Sequence, residues 1–421
     1  MTQPDFIAAS CADDYDPNAM PVDKARHFIR QYLSPVTCQE SLPLRSALGR
    51  VLAEAIVSPC NVPNHDNSAM DGYALNAKDL PNAGTIRLTV VGTAFAGKSY
   101  DGPVEHGECV RIMTGAVMPA DCDTVVMQEY TKADGNQVTI ATGTKPGQNC
   151  RLAGEDIRLG QVVLPVGHLV RPADLGLIAS LGIGEVKVYR KLRVAFFSTG
   201  DELAGIGTEL KPGEVYDSNR YTLYGMLARL GVEIIDMGVV RDDPVLLENA
   251  LIEASQAADV IVTSGGVSVG EADYMKELLN RLGQVVFWKI AIKPGRPLAY
   301  GKIANAHYFG LPGNPVAVMV TFYQFVRDAM LVMMGQPQPA TIPMLSAVCT
   351  AAIRKLPGRT EFQRGILRLT EAGWTVQTTG NQGSGILRSM TEANCFIVLP
   401  ETCGNVEPGN TVQVQILEGI V

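Results

Sequence analysis

The chain has no stretch of about 18 uninterrupted apolar residues, the length a membrane-spanning helix needs. The nearest approach, 315–334, is broken by Gln324, Arg327 and Asp328 and reads as a buried helix. There is no run of Lys and Arg, and the net charge is −8. The basic footprint of a general nucleic-acid binder is therefore missing. The nine cysteines are odd in number and scattered, and no Cys-x-x-Cys occurs. That excludes a disulfide framework and a zinc knuckle, and leaves the thiols as small buried apolar groups. The five histidines are equally dispersed. Residues 1–19 lack a basic start and an apolar core, and they carry Asp13, Asp14 and Asp16. They read as a polar tail rather than a signal peptide, so the cytoplasm is the expected compartment. No internal repeat or low-complexity segment is found.

What is present is a globular composition, 46% hydrophobic and 19% charged over 421 residues. At roughly 150 residues per domain that length suggests about three domains. Val22, Ala25, Phe28, Ile29 and Tyr32 have helical spacing. Between 59 and 150, short β-rich runs (85–91, 108–113, 124–130, 137–140) alternate with Gly, Pro, Asn and Asp clusters, as in an all-β module. Residues 171–182 read as a helix with Pro172 in its first turn. From Leu192 the rhythm becomes strand, loop, helix: strands at 192–197, 233–237, 258–263 and 284–290, helices at 217–230, 244–254, 273–282 and 315–333. Near-continuous apolar strands alternating with helices predict a parallel sheet covered on both faces. Residues 340–421 return to short strands and form a second small β module.

In open α/β sheets, ligands bind beyond the carboxyl ends of the strands. The loops there are Ser198-Thr199-Gly200-Asp201-Glu202, Ser264-Gly265-Gly266-Val267-Ser268 running on to Asp273, and Gly310-Leu311-Pro312-Gly313-Asn314-Pro315. Glycine lets backbone amides approach an anion, and the helix that follows adds a favourable dipole. Turn-making accounts for any one of these loops. Three after successive strands point to a phosphate and nucleotide site. Asp201, Glu202, Asp242, Asp243, Glu271 and Asp273 lie in or beside the same loops. Such hard oxygen donors, with no His or Cys nearby, suit Mg²⁺. Helix capping suffices for Asp243, which precedes Pro244, whereas Asp242 and Asp273 read as ligands. Lys289 and Lys293 flank a loop stiffened by Pro294, Gly295 and Pro297, where fixed cations would face phosphoryl oxygens.

Two segments carry less than their letters suggest. Gly92-Thr93-Ala94-Phe95-Ala96-Gly97-Lys98-Ser99 matches the Walker A pattern. That mechanism needs a helix starting at the Lys-Ser, and Tyr100-Asp101-Gly102-Pro103 prevents one. Asp71-Gly72, Thr114-Gly115 and Gly154-Glu155-Asp156 are sufficiently explained as turns.

Taken together, Asn67–Ala74, Arg111–Gly115, Val126–Glu129, Gly154–Ile157, Ser198–Leu203, Arg241–Pro244, Ser264–Asp273, Lys293–Pro297 and Gly310–Pro315 resemble the molybdopterin molybdenumtransferases, relatives of the gephyrin C-terminal domain. The resemblance runs from about residue 20 to the C-terminus. It implies a multi-domain α/β plus all-β protein. Its α/β domain (191–339) would be three-layered, with a mostly parallel sheet resembling molybdopterin adenylyltransferase. A β module (59–150) would be inserted into a discontinuous N-terminal domain (20–58 with 151–190), and 340–421 would form a small β-barrel. The implied reaction inserts molybdate into adenylylated molybdopterin and releases AMP with Mg²⁺. The implied assembly is a homodimer whose active site is shared between subunits, with a molybdopterin adenylyltransferase as candidate upstream partner.

Matched position by position, the catalytic set becomes Asp71, Asp156, Glu202, Asp242, Lys289 and Lys293. The Mg²⁺ ligands become Asp201, Glu202, Asp242 and Asp273. Binding of the cofactor precursor falls to Thr114, Ser198, Gly200, Gly265, Gly266, Ser268, Pro312, Gly313, Pro315, Arg364 and Ser384. Asp71, Thr114 and Asp156 would come from the partner subunit. Two other readings stay open: a scaffold that keeps the fold without the chemistry, and an adenylyltransferase.

Overall fold

The computed structural model describes residues 18–266, 272–339 and 342–417; the side chains of 272–274 and of Phe287 lie outside that description. It divides into two compact units, one of residues 40–188 and one joining those up to 39 with those from 189 onward.

In the 40–188 unit, Ala47, Leu52, Ile56, Ile157, Leu164, Ile178 and Val188 share one core. The helix Pro172–Ser180 closes it, with Pro172 in the first turn and the Asp174 carboxylate accepting from the Arg171 amide at 2.8 Å. The intervening residues form a six-stranded sheet in the order 124–127, 72–75, 108–112, 85–94, 137–141, 131–134. This is the β module expected from the turn-rich stretch. Its Walker-like segment is a tight hairpin in which Phe95 and Lys98 exchange backbone hydrogen bonds at 2.9 Å. No helix follows Lys98, so the segment is not a phosphate loop.

The other unit is built on a six-stranded sheet. Strand β1 (Arg193–Thr199) pairs in parallel with β2 (Glu233–Val240) on one side and β3 (Val260–Ser264) on the other. Beyond β3 come β6 (Ala306–Leu311), parallel, then β5 (Pro297–Ile303), antiparallel, and β4 (Gly283–Lys289) at the far edge. Strand alternation sorts side chains to two cores. Val194, Phe196, Val260 and Val262 face one core, with helices α1 (Val22–Gln31), α2 (Ser218–Leu230) and α5 (Pro315–Met333). Ala195, Phe197 and Ile261 face the other, with α3 (Pro244–Ala257) and α4 (Ala272–Leu282). The result is the three-layer, mostly parallel domain that near-continuous apolar strands predict.

Three features depart from the sequence reading. Helix α1 packs on this α/β layer: Val22, Ala25 and Ile29 enter its core, and Phe28 meets Trp288 edge-on at 5.0 Å. The domain boundary implied by the resemblance had grouped that helix with 151–190. Strand β5 is not among the strands expected from the sequence; it opens on Pro297 and contains Gly301 and Lys302. Gly301 is required there, because a Cβ would run into the Gln284 carbonyl. Helix α5 passes through a π-helical turn at Phe322–Val326. That turn gives its interrupting Gln324 a use: the side-chain amide donates to Gln415 at 2.9 Å, and the backbone carbonyl accepts from Arg26 at 3.1 Å. By length and composition α5 could cross a membrane, but 89% of it is buried in the core.

The last module is a closed five-stranded barrel of 344–349, 360–370, 373–378, 395–399 and 411–416, closed by pairing of 360–370 with 395–399. A two-residue strand, Ile292–Lys293, adds in parallel beside Thr360–Glu361.

The amino edge of the main sheet is fastened by Asp259. Its carboxylate takes two 2.7 Å bonds from Arg190 and one of 2.8 Å from the Arg193 amide. Burial pushes its pKa up, but these donors outweigh that effect and leave it lowered. Asp259→Asn should therefore cost about 1–3 kcal/mol, the scale of breaking a part-buried charged pair. A lowered folded-state pKa gives stability that is full above the unfolded value and lost as pH falls through the folded one. Denaturant melts should show the difference between wild type and variant at pH 7 and its shrinkage below about pH 4. A constant difference across that range would refute the linkage.

Candidate active site

Register sets the site. Ser198 lies opposite Ser264, Ser264 opposite Leu311, and Thr199 opposite Val240, so β1, β2, β3 and β6 end level with one another. At the far edge Lys289, the end of β4, pairs with Pro297. All the loops singled out from the sequence therefore leave the same edge: 200–202, 241–243, the one opening at Gly265, 290–296 and 312–314. Thr199, Glu202, Asn219, Asp242, Gly265 and Gly313 line a cleft among them.

The tightest constraint there falls on Gly265. Gly265 and Gly266 have φ of +92° and +68°. A Cβ on Gly265 would stand 2.5 Å from the Thr199 carbonyl, and one on Gly200 would collide with the Glu202 carboxylate. Gly313 approaches the Gly265 Cα, at 3.9 Å from its own would-be Cβ. Three backbones thus meet at van der Waals range at the cleft, where the Gly265 amide is itself bonded to the Leu311 carbonyl at 3.2 Å.

Beneath them runs a buried polar floor. Ser264 Oγ donates to Ser198 Oγ at 3.1 Å, and Ser198 Oγ donates to Asp217 Oδ1 at 3.0 Å. Asp217 also caps α2 through the Arg220 amide at 3.1 Å. The Asn219 amide donates to the Gly313 carbonyl at 2.7 Å and ties α2 to the loop after β6. Ser198 is fully buried, so it supports the floor instead of facing a ligand. Three buried oxygens here have no hydrogen-bond partner among the described residues: Thr199 Oγ1, Asp217 Oδ2 and Asn219 Oδ1. Asp217 and Asn219 escaped the sequence reading because an Asp-Ser-Asn start is fully explained as a helix cap. The only signal was an uncharged Asn two residues into a helix.

The acidic residues divide by role. Asp243 is a cap, accepting from Val245 and Leu246 amides at 2.9 and 3.0 Å. Asp201 Oδ1 accepts the Asp242 amide at 3.4 Å, which brings the loops after β1 and β2 side by side. Among the described residues no group of three or more His, Cys, Asp or Glu side chains is arranged to hold a metal. Ser268 and the Asp273 carboxylate lie outside the described residues. The donor chemistry that is present, Asp242 and the Thr199 hydroxyl lining the cleft with Asp201 on the adjoining loop, fits Mg²⁺. That ion takes one or two carboxylates and completes its shell with water or phosphate.

On the other flank, Lys289 ends β4 half-buried, and Lys293 Nζ lies 3.5 Å from Glu361 Oε1. Pro315 starts α5, whose Val316 amide donates to the Ser384 carbonyl at 3.1 Å. Ser384 thus sits at the helix N-terminus beside Pro312 and Gly313. Arg364 is 1% exposed. It donates to the Gly383 carbonyl at 3.1 Å and to Ser389 Oγ at 3.0 Å, and burial lowers its pKa to about 10. In this arrangement it braces the loop that presents Ser384.

The remaining sequence-derived residues gather in the 40–188 unit. Asp71 Oδ1 accepts from the Thr114 amide at 2.8 Å and its hydroxyl at 2.7 Å, and these bonds lower the Asp71 pKa. Asp156 is exposed on a loop whose start, Arg151, pairs with Asn67 and whose Ala153 amide donates to Asp66 at 2.7 Å. The turns holding Asp71, Thr114 and Asp156 are therefore neighbours within that unit.

Comparison with known proteins covers nearly the whole chain. Residues 20–182 match the MoeA N-terminal region (domain I and II), 195–331 the probable molybdopterin binding domain, and 346–417 the MoeA C-terminal region (domain IV). The molybdopterin molybdenumtransferase of Haemophilus influenzae is 46% identical over 396 residues, 94% of this chain and 98% of that one. That of Nostoc sp. is 36% identical, over 86% of this chain and 85% of its own. Among solved structures, the molybdopterin biosynthesis moeA protein from Pyrococcus horikoshii OT3 superposes with a TM-score of 0.83 at 30% identity, over 95% of this chain and 100% of that one.

Gly265→Ala places a side chain at positive φ against the Thr199 carbonyl. It should lower stability by about 1–3 kcal/mol and weaken AMP binding in calorimetry by roughly tenfold or more. Unchanged AMP affinity in the folded variant would show that this loop is not a wall of the ligand site.

Proposed function

The chain belongs to the MoeA family of molybdopterin molybdenumtransferases, enzymes of molybdenum cofactor biosynthesis, and on that premise we propose how its residues divide the reaction. The substrates are adenylylated molybdopterin and molybdate, met in the cytoplasm. Molybdenum bonds the two dithiol sulfurs, whose protons, with two more from solution, leave with two molybdate oxygens as water; one water is taken up as the phosphoanhydride bond breaks, and AMP leaves while the pterin keeps its own phosphate. The observation that carries this reading is the shared carboxyl edge, where glycine backbones converge over a floor of unpartnered buried oxygens.

The amides after β3 and β6 bind the phosphates of the AMP half, and the α5 N-terminus favours their charge. Asn219 and Thr199 offer hydrogen-bonding groups that no described residue meets, open to a ligand or water. Asp201 and Asp242, with Asp273, would hold Mg²⁺, which when bound neutralises developing phosphate charge. Glu202 lies across Gly200 at the mouth of the cleft. Lys289 and Lys293 hold the oxyanions of molybdate and pyrophosphate on the opposite side, with Ser384 beside them. Fixed charges of this kind stabilise a transition state without reorganisation.

The Asp71, Thr114 and Asp156 patch is assigned to the same reaction, acting on a second copy of the chain in a homodimer. A lowered Asp71 pKa keeps that carboxylate ionised at neutral pH, suited to orienting a substrate hydroxyl or amine rather than to donating a proton. The upstream partner is a molybdopterin adenylyltransferase, whose product is this enzyme's substrate.

Asp242→Asn should leave a folded protein that releases AMP about a hundredfold more slowly or worse with molybdate and Mg²⁺ present. Co-expression of Asp242→Asn with Asp71→Asn chains should restore about a quarter of wild-type activity, because half the dimers then hold one intact site. Full activity of Asp242→Asn would refute the site, and absent complementation would refute sharing between copies.

A further inference from the structure

Several buried charges lie outside the catalytic assignments, and one of them faces a proposed site residue. Glu361 is 2% exposed in the wall of the C-terminal barrel. Its Oε2 accepts from Gln363 Nε2 at 2.8 Å, and its Oε1 faces Lys293 Nζ at 3.5 Å. Lys355, the other cation nearby, spends its ammonium on the Cys403 and Leu356 carbonyls at 2.9 and 3.2 Å. Lys293 itself is half exposed, so one side of its ammonium meets the barrel and the other meets solvent.

Backbone pairing sets this contact. Ile292 and Lys293 run parallel beside Thr360 and Glu361, and the Thr360 amide donates to the Ala291 carbonyl at 2.9 Å. The loop is fixed from behind as well. Gly295 has φ +103°, and a Cβ there would stand 2.5 Å from Thr321 of α5. The cation-bearing loop is thus held between α5 and the barrel, with a carboxylate directly opposite its ammonium.

We propose that Glu361 is the positioning residue for Lys293: the barrel carboxylate aims the lysine's ammonium at the oxyanion of molybdate. This rests on the reading of Lys293 as an anion-holding residue. A lysine side chain has four rotatable bonds and a mobile charge. A buried carboxylate fixed by its own glutamine removes much of that freedom before the substrate arrives, which lowers the ordering cost of binding. The barrel therefore contributes to the site through this pair as well as through Ser384.

The test is a double-mutant cycle read as AMP release against molybdate concentration. Glu361→Gln should raise the KM for molybdate roughly tenfold, the scale of a modest misplacement of a binding group, and leave kcat within about twofold. In a Lys293→Ala background the same substitution should change neither parameter, since there is no ammonium left to aim. Glu361→Asp should recover part of the lost affinity. Thermal melts should show Lys293→Ala destabilised by its stranded carboxylate and the double variant restored toward wild type.

Equal effects of Glu361→Gln with and without Lys293 would overturn the proposal, because a purely structural glutamate acts independently of the lysine. An unchanged molybdate KM in Glu361→Gln, with a raised one in Lys293→Ala, would overturn it while sparing the functional assignment. An unchanged molybdate KM in Lys293→Ala would overturn both.

Discussion

The parallel pairing of β1 with β2 on one side and β3 on the other fixes where the acidic and glycine-rich loops begin. Because Ser198 sits level with Ser264, and Ser264 with Leu311, the chain leaves three neighbouring strands at the same height. A slip of one residue would turn Phe196 and Phe197 to the wrong cores and stagger the loops. Apolar burial on two faces and ligand geometry at the edge are thus consequences of one register. The amino edge secures it: Asp259 joins Arg190 and the Arg193 amide through its side chain, and its carbonyl accepts from His307 at 2.9 Å. The stable end of the sheet is remote from the end that carries glycines at positive φ.

Much of this arrangement was legible in the sequence because it depends on local chemistry. Continuous apolar strands announced a sheet covered on both faces, and glycines after strands announced backbone approach. Asp243 before Pro244 announced a cap, which it is. The demotion of the Walker-like stretch needed only the helix breakers after Ser99. What the letters could not convey was tertiary. Helix α1 has the apolar spacing of any surface helix, and nothing local says that its face meets Trp288 and not the residues near 178. Strand β5 hides behind Pro297 because its partners β4 and β6, not its propensity, make it a strand. Arg364 reads as an available cation, yet burial and the Gly383 carbonyl make it a brace.

The carboxylates show why residue type underdetermines role. Asp201, Asp242, Asp243 and Asp217 all sit near strand ends or helix starts. Asp243 spends one oxygen on two amides at the head of α3, and little else is asked of it. Asp201 and Asp242 instead lie one against the other across two loops. Asp71 is pinned by both the amide and the hydroxyl of Thr114, which fixes its charge and its direction together. The distinction lies in how many of the oxygens the protein itself consumes.

That criterion also bears on whether the α/β unit is a scaffold or a working site. A buried polar atom without a partner costs about 1–3 kcal/mol, so folded proteins rarely keep several together. Here Thr199 Oγ1, Asp217 Oδ2 and Asn219 Oδ1 lie at the end of β1 and the start of the adjoining helix α2. Capping accounts for Asp217 Oδ1 and leaves Oδ2 unexplained. Bracing accounts for the Asn219 amide nitrogen and leaves its oxygen unexplained. A scaffold would lose nothing by replacing these groups with apolar ones of the same shape. A site that recognises a phosphate-bearing, hydroxyl-rich ligand would have a use for them, since no described residue satisfies them. Among the described residues the floor beneath the glycine loops is in that sense incomplete, unlike a merely well-packed sheet end.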